Sequence, residues 1–260
     1  MVKKKTFMAL LKTDIYRALL SVNFIISIMI SIFVMFTSCS RFIYSESDIL
    51  KLLGYALTGS GSVLPILCIL PILPYTMSFV SELKDKALTF WIIRTGTGKY
   101  AASKFLSSTI AGFLSVAGSM TVFSPVMSIF FPLFNGQISD GSPYAILLKN
   151  NRQWTYILIL TVHYSLSGAL FTGAALTIST FIPNKFSTLA APIVICFVLM
   201  RLTAYAQIPD FLKLNILVEG ICPDVTPSAA FLYKLIPVAV ILGILLYITI
   251  KQIRKRIERT

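Results

Sequence analysis

Apolar positions along this chain gather into long runs that charged residues interrupt. Runs free of charge lie between Arg17 and Arg41, Lys51 and Glu82, Lys104 and Asp140, and Arg152 and Lys185. A fifth ends at Arg201 but continues apolar to Ala206, and a sixth lies between Lys234 and Lys251. A hydrocarbon core about 30 Å thick needs roughly 20 mostly apolar residues per helix. The pattern therefore predicts an all-α membrane protein with six transmembrane helices, near 18–39, 61–81, 105–127, 154–179, 187–206 and 230–250. The third run is too long for one span and too short for two spans plus a turn. It reads as one helix followed by an interfacial or re-entrant tail, from Ser124-Pro125 through Phe131-Pro-Leu-Phe134. The second span carries Pro65, Pro71 and Pro74. Each removes a backbone donor and clashes with the preceding turn, so this helix is expected to be kinked or broken, a candidate pathway element.

Shorter patterns lie between the spans. Phe7, Leu10, Leu11 and Ile15 recur at helical spacing, with Lys5, Lys12 and Arg17 elsewhere on the wheel. This predicts an amphipathic N-terminal helix lying in the membrane interface. Ser165, Ala169, Gly173 and Thr177 form a stripe of small residues on the fourth span, and Ala111, Ser115 and Ser119 a weaker one on the third. Such stripes let helices approach closely and carry no chemistry. Residues 40–60 read as a loop with a Gly/Ser-rich turn, Thr58 to Ser62. Residues 207–229 contain Pro209, Pro223 and Pro227 and an apolar stretch (Phe211, Leu212, Leu214, Ile216, Leu217) too short to span. That stretch is expected to lie in the outer interface or to dip in as a short helix.

Composition agrees with this reading: 56% of the 260 residues are hydrophobic and 13% charged, with mean hydropathy +0.83. A soluble domain carries about 25% charged residues. The net charge of +13 is unevenly placed. With six spans, 16 of the 23 Lys and Arg residues fall on the side of the termini. They stand before the first span, in the 82–104 segment, at Lys185 and after Lys251. The positive-inside rule then puts both termini and the 82–104 segment in the cytosol, with the chain in the cell membrane. The basic balance is explained by topology and by the anionic inner leaflet, not by nucleic acid. The start, Met1-Val-Lys-Lys-Lys, lacks a small-residue cleavage site and is expected to be retained. Cys39, Cys68, Cys196 and Cys222 are scattered without a CxxC pair.

Little here suggests catalysis. His163 is the only histidine, which excludes two-histidine metal motifs. No GxSxG elbow occurs, and the spans hold no pair of carboxylates. Gly96-Thr-Gly-Lys99 invites comparison with a phosphate loop, but Ile93 stands where the first glycine belongs and Tyr100 follows the lysine. Its glycines read instead as the end of a helix and the turn into the third span. No catalytic residue, metal or cofactor is therefore expected in this chain. Arg201 and His163 are the ionisable residues well inside the spans. Each is a candidate pathway or gate residue, with snorkelling (Arg201) and hydrogen-bonded packing (His163) as the plainer alternatives.

The charged break from Glu82 to Lys104 stands out. Leu83, Ala87, Phe90 and Trp91 fall at i, i+4, i+7 and i+8, one apolar face, while Glu82, Lys84, Asp85, Lys86 and Arg94 cover much of the rest. This predicts a short amphipathic helix, suited to the membrane surface or to a groove on a soluble partner. The run from Ser78-Phe-Val-Ser-Glu82 to Lys104-Phe-Leu, about 25 residues, resembles the ABC-2 type transporter permeases. It matches in Glu82, Leu88, the turn near Gly96 and Lys104. It departs from them in Lys86-Ala87, where the family often shows Gly-Thr, and in Gly96, where it often shows proline. The resemblance is to the small bacterial permeases of drug, peptide or lantibiotic-resistance exporters. It implies two permease subunits, identical or related, paired with two cytosolic ATPase subunits that hold ATP and Mg. Residues 83–95 would then be the coupling helix seated on the ATPase, with Glu82 and Lys104 at its membrane junctions. The 207–229 segment would take the place of the family's outer gate helices. The rival reading is a membrane anchor or sensor subunit that transports nothing.

Overall fold

The structure is a computed structural model that describes residues 2–43, 48–58, 64–135, 143–204, 207, 209, 213–218, 220–222 and 225–258. Its described residues form helices and connections, with no strand among them. Five helices are long and apolar enough to cross a membrane: α2 (Val22–Cys39), α6 (Thr97–Ser128), α8 (Gln153–Phe181), α9 (Lys185–Ala204) and α11 (Pro227–Ile257). Their positions follow the first, third, fourth, fifth and sixth apolar runs. The flanking helix α1 (Val2–Leu19) corresponds to the amphipathic start.

The second run does not form a regular helix. Where Pro65, Pro71 and Pro74 fall, the chain makes a π-type turn at Leu64–Ile69, a 3-10 turn at Leu70–Ile72 and further turns. Only then does it resume as α4 (Ser78–Lys84). The prolines explain this, because each deletes a donor that a continuous α-helix needs. The freed carbonyls find other partners: Ser27 Oγ donates to Leu70 O at 2.7 Å and Ser21 Oγ to Pro74 O at 3.4 Å. Irregular backbone inside an apolar bundle survives only when it is satisfied in this way.

Residues 40–60 are more than a loop. They contain α3 (Ile49–Thr58), whose Ile49, Leu52, Leu53, Ala56 and Leu57 are fully buried. Its repeat at i, i+3, i+4, i+7 and i+8 is helical, but ten residues are too few to span, so a search by span length passes over it. Asp48 caps it, accepting from Leu50 N–H at 2.9 Å, and also accepts from Asn135 N–H at 3.1 Å. The tail after α6 thereby joins this end of the bundle, and Phe131, Leu133 and Phe134 pack against its core. Residues 59–62 of the predicted Gly/Ser turn lie outside the described residues. A short helix, α7 (Ala145–Lys149), precedes α8.

The bundle is built around α8, which is 78% buried in its most apolar stretch, against 17% for α9 and for α11. The outer faces of α9 and α11, such as Val194, Val198, Val240 and Ile244, are exposed and suited to lipid. The fourth-span stripe is used at Gly173 and Thr177, while the closest crossing of α6 and α8 lies beside the two stripes, at Gly112 and Gly168. α6 and α8 cross so closely that a Cβ at Gly168 falls 2.8 Å from Gly112 O and 2.8 Å from Val116 Cγ2. Pro71 packs on the same crossing, 3.4 Å from that point. Thr177 Oγ1 meets Thr249 Oγ1 at 3.0 Å and ties α8 to α11. The four cysteines form no disulfide with one another, and Cys39 is fully buried.

This crossing yields a stability prediction. Gly168→Ala forces two backbones apart and should destabilise the purified protein in detergent by about 1–3 kcal/mol. Gly243→Ala, on an open face of α11, meets nothing within 4 Å and should leave the melting temperature unchanged or raise it. Equal melting of the two variants contradicts the close crossing.

Candidate functional site

The charged break folds differently from one amphipathic helix. α4 ends at Lys84, Asp85 follows, and Lys86 adopts the left-handed conformation (φ 55°) before α5 (Ala87–Thr95) begins. Left-handed backbone costs a non-glycine residue roughly 1–2 kcal/mol, so surrounding contacts hold this turn in place. Gly96 (φ 83°) ends α5 and starts α6 without a linker. The expected helix over 83–95 is thus two helices with a corner at 85–86.

The corner rotates the faces. Leu88 is buried, and Leu83, Trp91 and Ile92 pack partly against Phe79, Tyr100, Phe105 and Ile253. Ala87 is half-buried, while Lys84, Asp85 and Arg94 are exposed. The exposed apolar residues of α5 are Phe90 (71% exposed) and Ile93 (78%). The apolar face expected from Leu83, Ala87, Phe90 and Trp91 is therefore divided: Trp91 turns inward and Phe90 outward, where Ile93 joins it. Beside them runs a groove of about 430 Å³ between α5 and the end of α11, lined by Leu83, Leu88, Ile92, Ile93, Arg256 and Ile257 among others.

Behind α5 lies a buried cluster of charges. Lys104, one turn after Tyr100 on α6, is 1% exposed, and Asp14 and Glu82 are 2% and 6% exposed. Its ammonium donates to Glu82 Oε1 at 2.7 Å, to Tyr75 Oη at 2.7 Å and to Asp14 Oδ1 at 3.0 Å. Three donors meet three acceptors. The acids are satisfied in turn. Tyr75 and Ser103 donate to the two oxygens of Asp14, at 2.5 and 2.6 Å. Tyr100 donates to Glu82 Oε2 at 2.6 Å, and Arg17 Nη1 reaches Glu82 Oε1 at 3.1 Å. The Tyr75 ring lies 4.8 Å from the ammonium, close enough for cation–π attraction. Burial works against the Arg17 charge, but Tyr75, Glu82 and Asp14 outweigh it and raise its pKa above the ordinary value. Two positive and two negative groups leave the cluster neutral. It joins α1, the turn before α4, α4 and α6.

Of the residues that the sequence singled out, Glu82 and Lys104 meet directly. Asp14, Tyr75 and Tyr100 were not anticipated. A signal existed for Asp14: Leu10, Asp14 and Ala18 share one buried face at a spacing of four. A carboxylate there does not suit a helix lying face down in lipid, and that face of α1 packs against α6 instead. Arg201 is exposed on α9, as snorkelling requires. His163 is 1% exposed, and its Nε2–H donates to Gly220 O at 3.0 Å. That fixes the neutral tautomer, so Nδ1 accepts from Tyr144 Oη at 3.1 Å. His163 therefore pins the segment between α9 and α11, as does Ser167, which donates to Val218 O at 2.8 Å. The pinned segment contains α10 (Leu214–Val218), whose Leu217 and Val218 are buried. It dips into the bundle as one of the two readings anticipated. Phe211 and Leu212 lie outside the described residues. Pro71 and Pro74 are buried in the bundle, away from solvent. Among the described residues, His163 bonds Tyr144 and Gly220 and Arg201 forms no salt bridge, so neither belongs to the charge cluster.

Compared with protein-family models, curated proteins and solved structures, the chain matches none.

The cluster makes a testable statement about energies. Removing one partner of a buried charge network costs about 3–5 kcal/mol, because the others are left uncompensated. Lys104→Met should therefore lower stability strongly. Adding Asp14→Asn and Glu82→Gln to Lys104→Met should recover much of the loss in a thermal-melt series. Additive losses across the three substitutions contradict a coupled cluster.

Proposed function

We propose that this chain is the permease subunit of an ATP-driven exporter of the ABC-2 kind. It moves an amphiphilic substrate (a peptide, an antibiotic or a lipid-like molecule) out of a bacterial cell. In this reading six segments cross the cell membrane, the broken 64–84 stretch being the second, and both termini are cytosolic. A second permease subunit completes the pathway. Two copies of a separate ATPase bind ATP and Mg and supply the energy.

One observation carries the proposal. A nine-residue helix, α5, offers Phe90 and Ile93 to solvent while the charge cluster ties its base to the bundle. Apolar anchors on a short exposed helix suit a groove on a soluble partner. A push on α5 passes through Glu82 to Lys104 on α6, and through Asp14 to α1. Because α6 and α8 are locked at Gly112 and Gly168, the displacement is shared by the centre of the bundle. The groove beside α5 brings the end of α11 into the same footprint.

The inward turn of Trp91 decides how to test this. Phe90→Asp with Ile93→Asp changes exposed positions only, so folding and insertion should survive. Purification in mild detergent from the native host should recover an ATPase with wild-type protein and lose it with the double variant. Undiminished recovery overturns the docking role of α5. Recovery of no ATPase by the wild-type protein overturns the proposal itself.

A further inference from the structure

Lys234, seven residues into α11, presents a second buried amine, and this one has no ion-pair partner among the described residues. The residue is 3% exposed, and its Nζ has no hydrogen-bond partner among the described residues. The Tyr164 ring face stands 5.3 Å away and offers only cation–π attraction. Beside the lysine is a cavity of about 10 Å³, bounded by His163, Leu217, Gly220, Ala230 and Tyr233. That is room for one water-sized atom. His163 has used both ring nitrogens, one of them on Gly220 O. What is unmet at this cavity is therefore a set of N–H donors on a group that becomes a cation when it gains a proton. A buried charge persists when it is paired, and a water there supplies an acceptor but no countercharge.

We propose that this cavity is an anion site, in which Lys234 binds a single negatively charged atom beneath the dipped α10 segment. Two sources fit that chemistry: a free halide, or one oxygen of a carboxylate carried by a larger amphiphile. A cation is repelled, and no larger anion fits whole while Val218 O and Gly220 O are pinned to α8. The site is separate from the α5 surface and depends on no ATPase.

The test uses the full chain purified in detergent, with thermal unfolding as the readout. Sodium isethionate, which carries no carboxylate, is the reference salt. Sodium chloride at equal ionic strength tests the halide, and sodium dodecanoate against dodecanol tests the carboxylate. The wild-type melting temperature should rise by roughly 5 °C at saturation in at least one anion arm. Lys234→Met should show no such rise and should match or exceed the wild type in isethionate, because an apolar side chain there needs no counter-ion. Lys234→Gln provides the same comparison if the methionine variant does not fold. A wild type indifferent to both anions, or variants that respond equally, overturns the site. Glu219 lies outside the described residues, next in sequence to Gly220. Glu219→Gln should leave the response in place. A response that emerges only after that substitution means the chain's own carboxylate fills the site, and the proposal fails.

Discussion

The structure turns on the ammonium of Lys104, which sits where water cannot reach it. An isolated charge in such a place is strongly unfavourable, so everything around it is arranged as an answer. Asp14 comes from the N-terminal helix, Glu82 from α4, and Tyr75 from the turn that the prolines create. No two of these partners belong to one regular element. The charge therefore specifies how the elements meet, where purely apolar packing would tolerate sliding. Tyr100 and Ser103, from the same helix as Lys104, complete the acids rather than the base, so both oxygens of each acid and the three N–H groups of Lys104 have partners.

Once this junction is fixed, the corner at 85–86 follows. Glu82 must point inward, and a helix continuing straight on would carry Leu88 and Ile92 away from the core. The left-handed Lys86 redirects the chain so that Leu88 stays covered while Phe90 and Ile93 emerge. A mild local penalty on one residue thus separates an inner apolar set from an outer one. The proposed docking surface is the outer set, and its value lies in being held at a defined angle.

Much of the architecture was legible because lipid-facing helices need length and apolarity, and these are visible residue by residue. The five long helices and the break at Pro65, Pro71 and Pro74 follow from that one requirement. What escaped was set by tertiary contact. Asp14 reads as one charge among several until Lys104 is known to stand opposite it, 90 positions later. Trp91 and Ile93 exchange roles because a helical wheel assumes a continuous helix, and the corner breaks that assumption. α3 escaped for another reason, its ten residues being too few for a criterion built on crossing a bilayer.

The separation of Asp14 and Lys104 also bears on how the chain is assembled. α1 leaves the ribosome before α6, and Lys104, the ammonium paired directly with the carboxylate on its buried face, is made 90 residues after it. The N-terminal helix therefore takes its final seat only once α6 has been made, so an early stretch of chain depends on a later one for its place in the bundle.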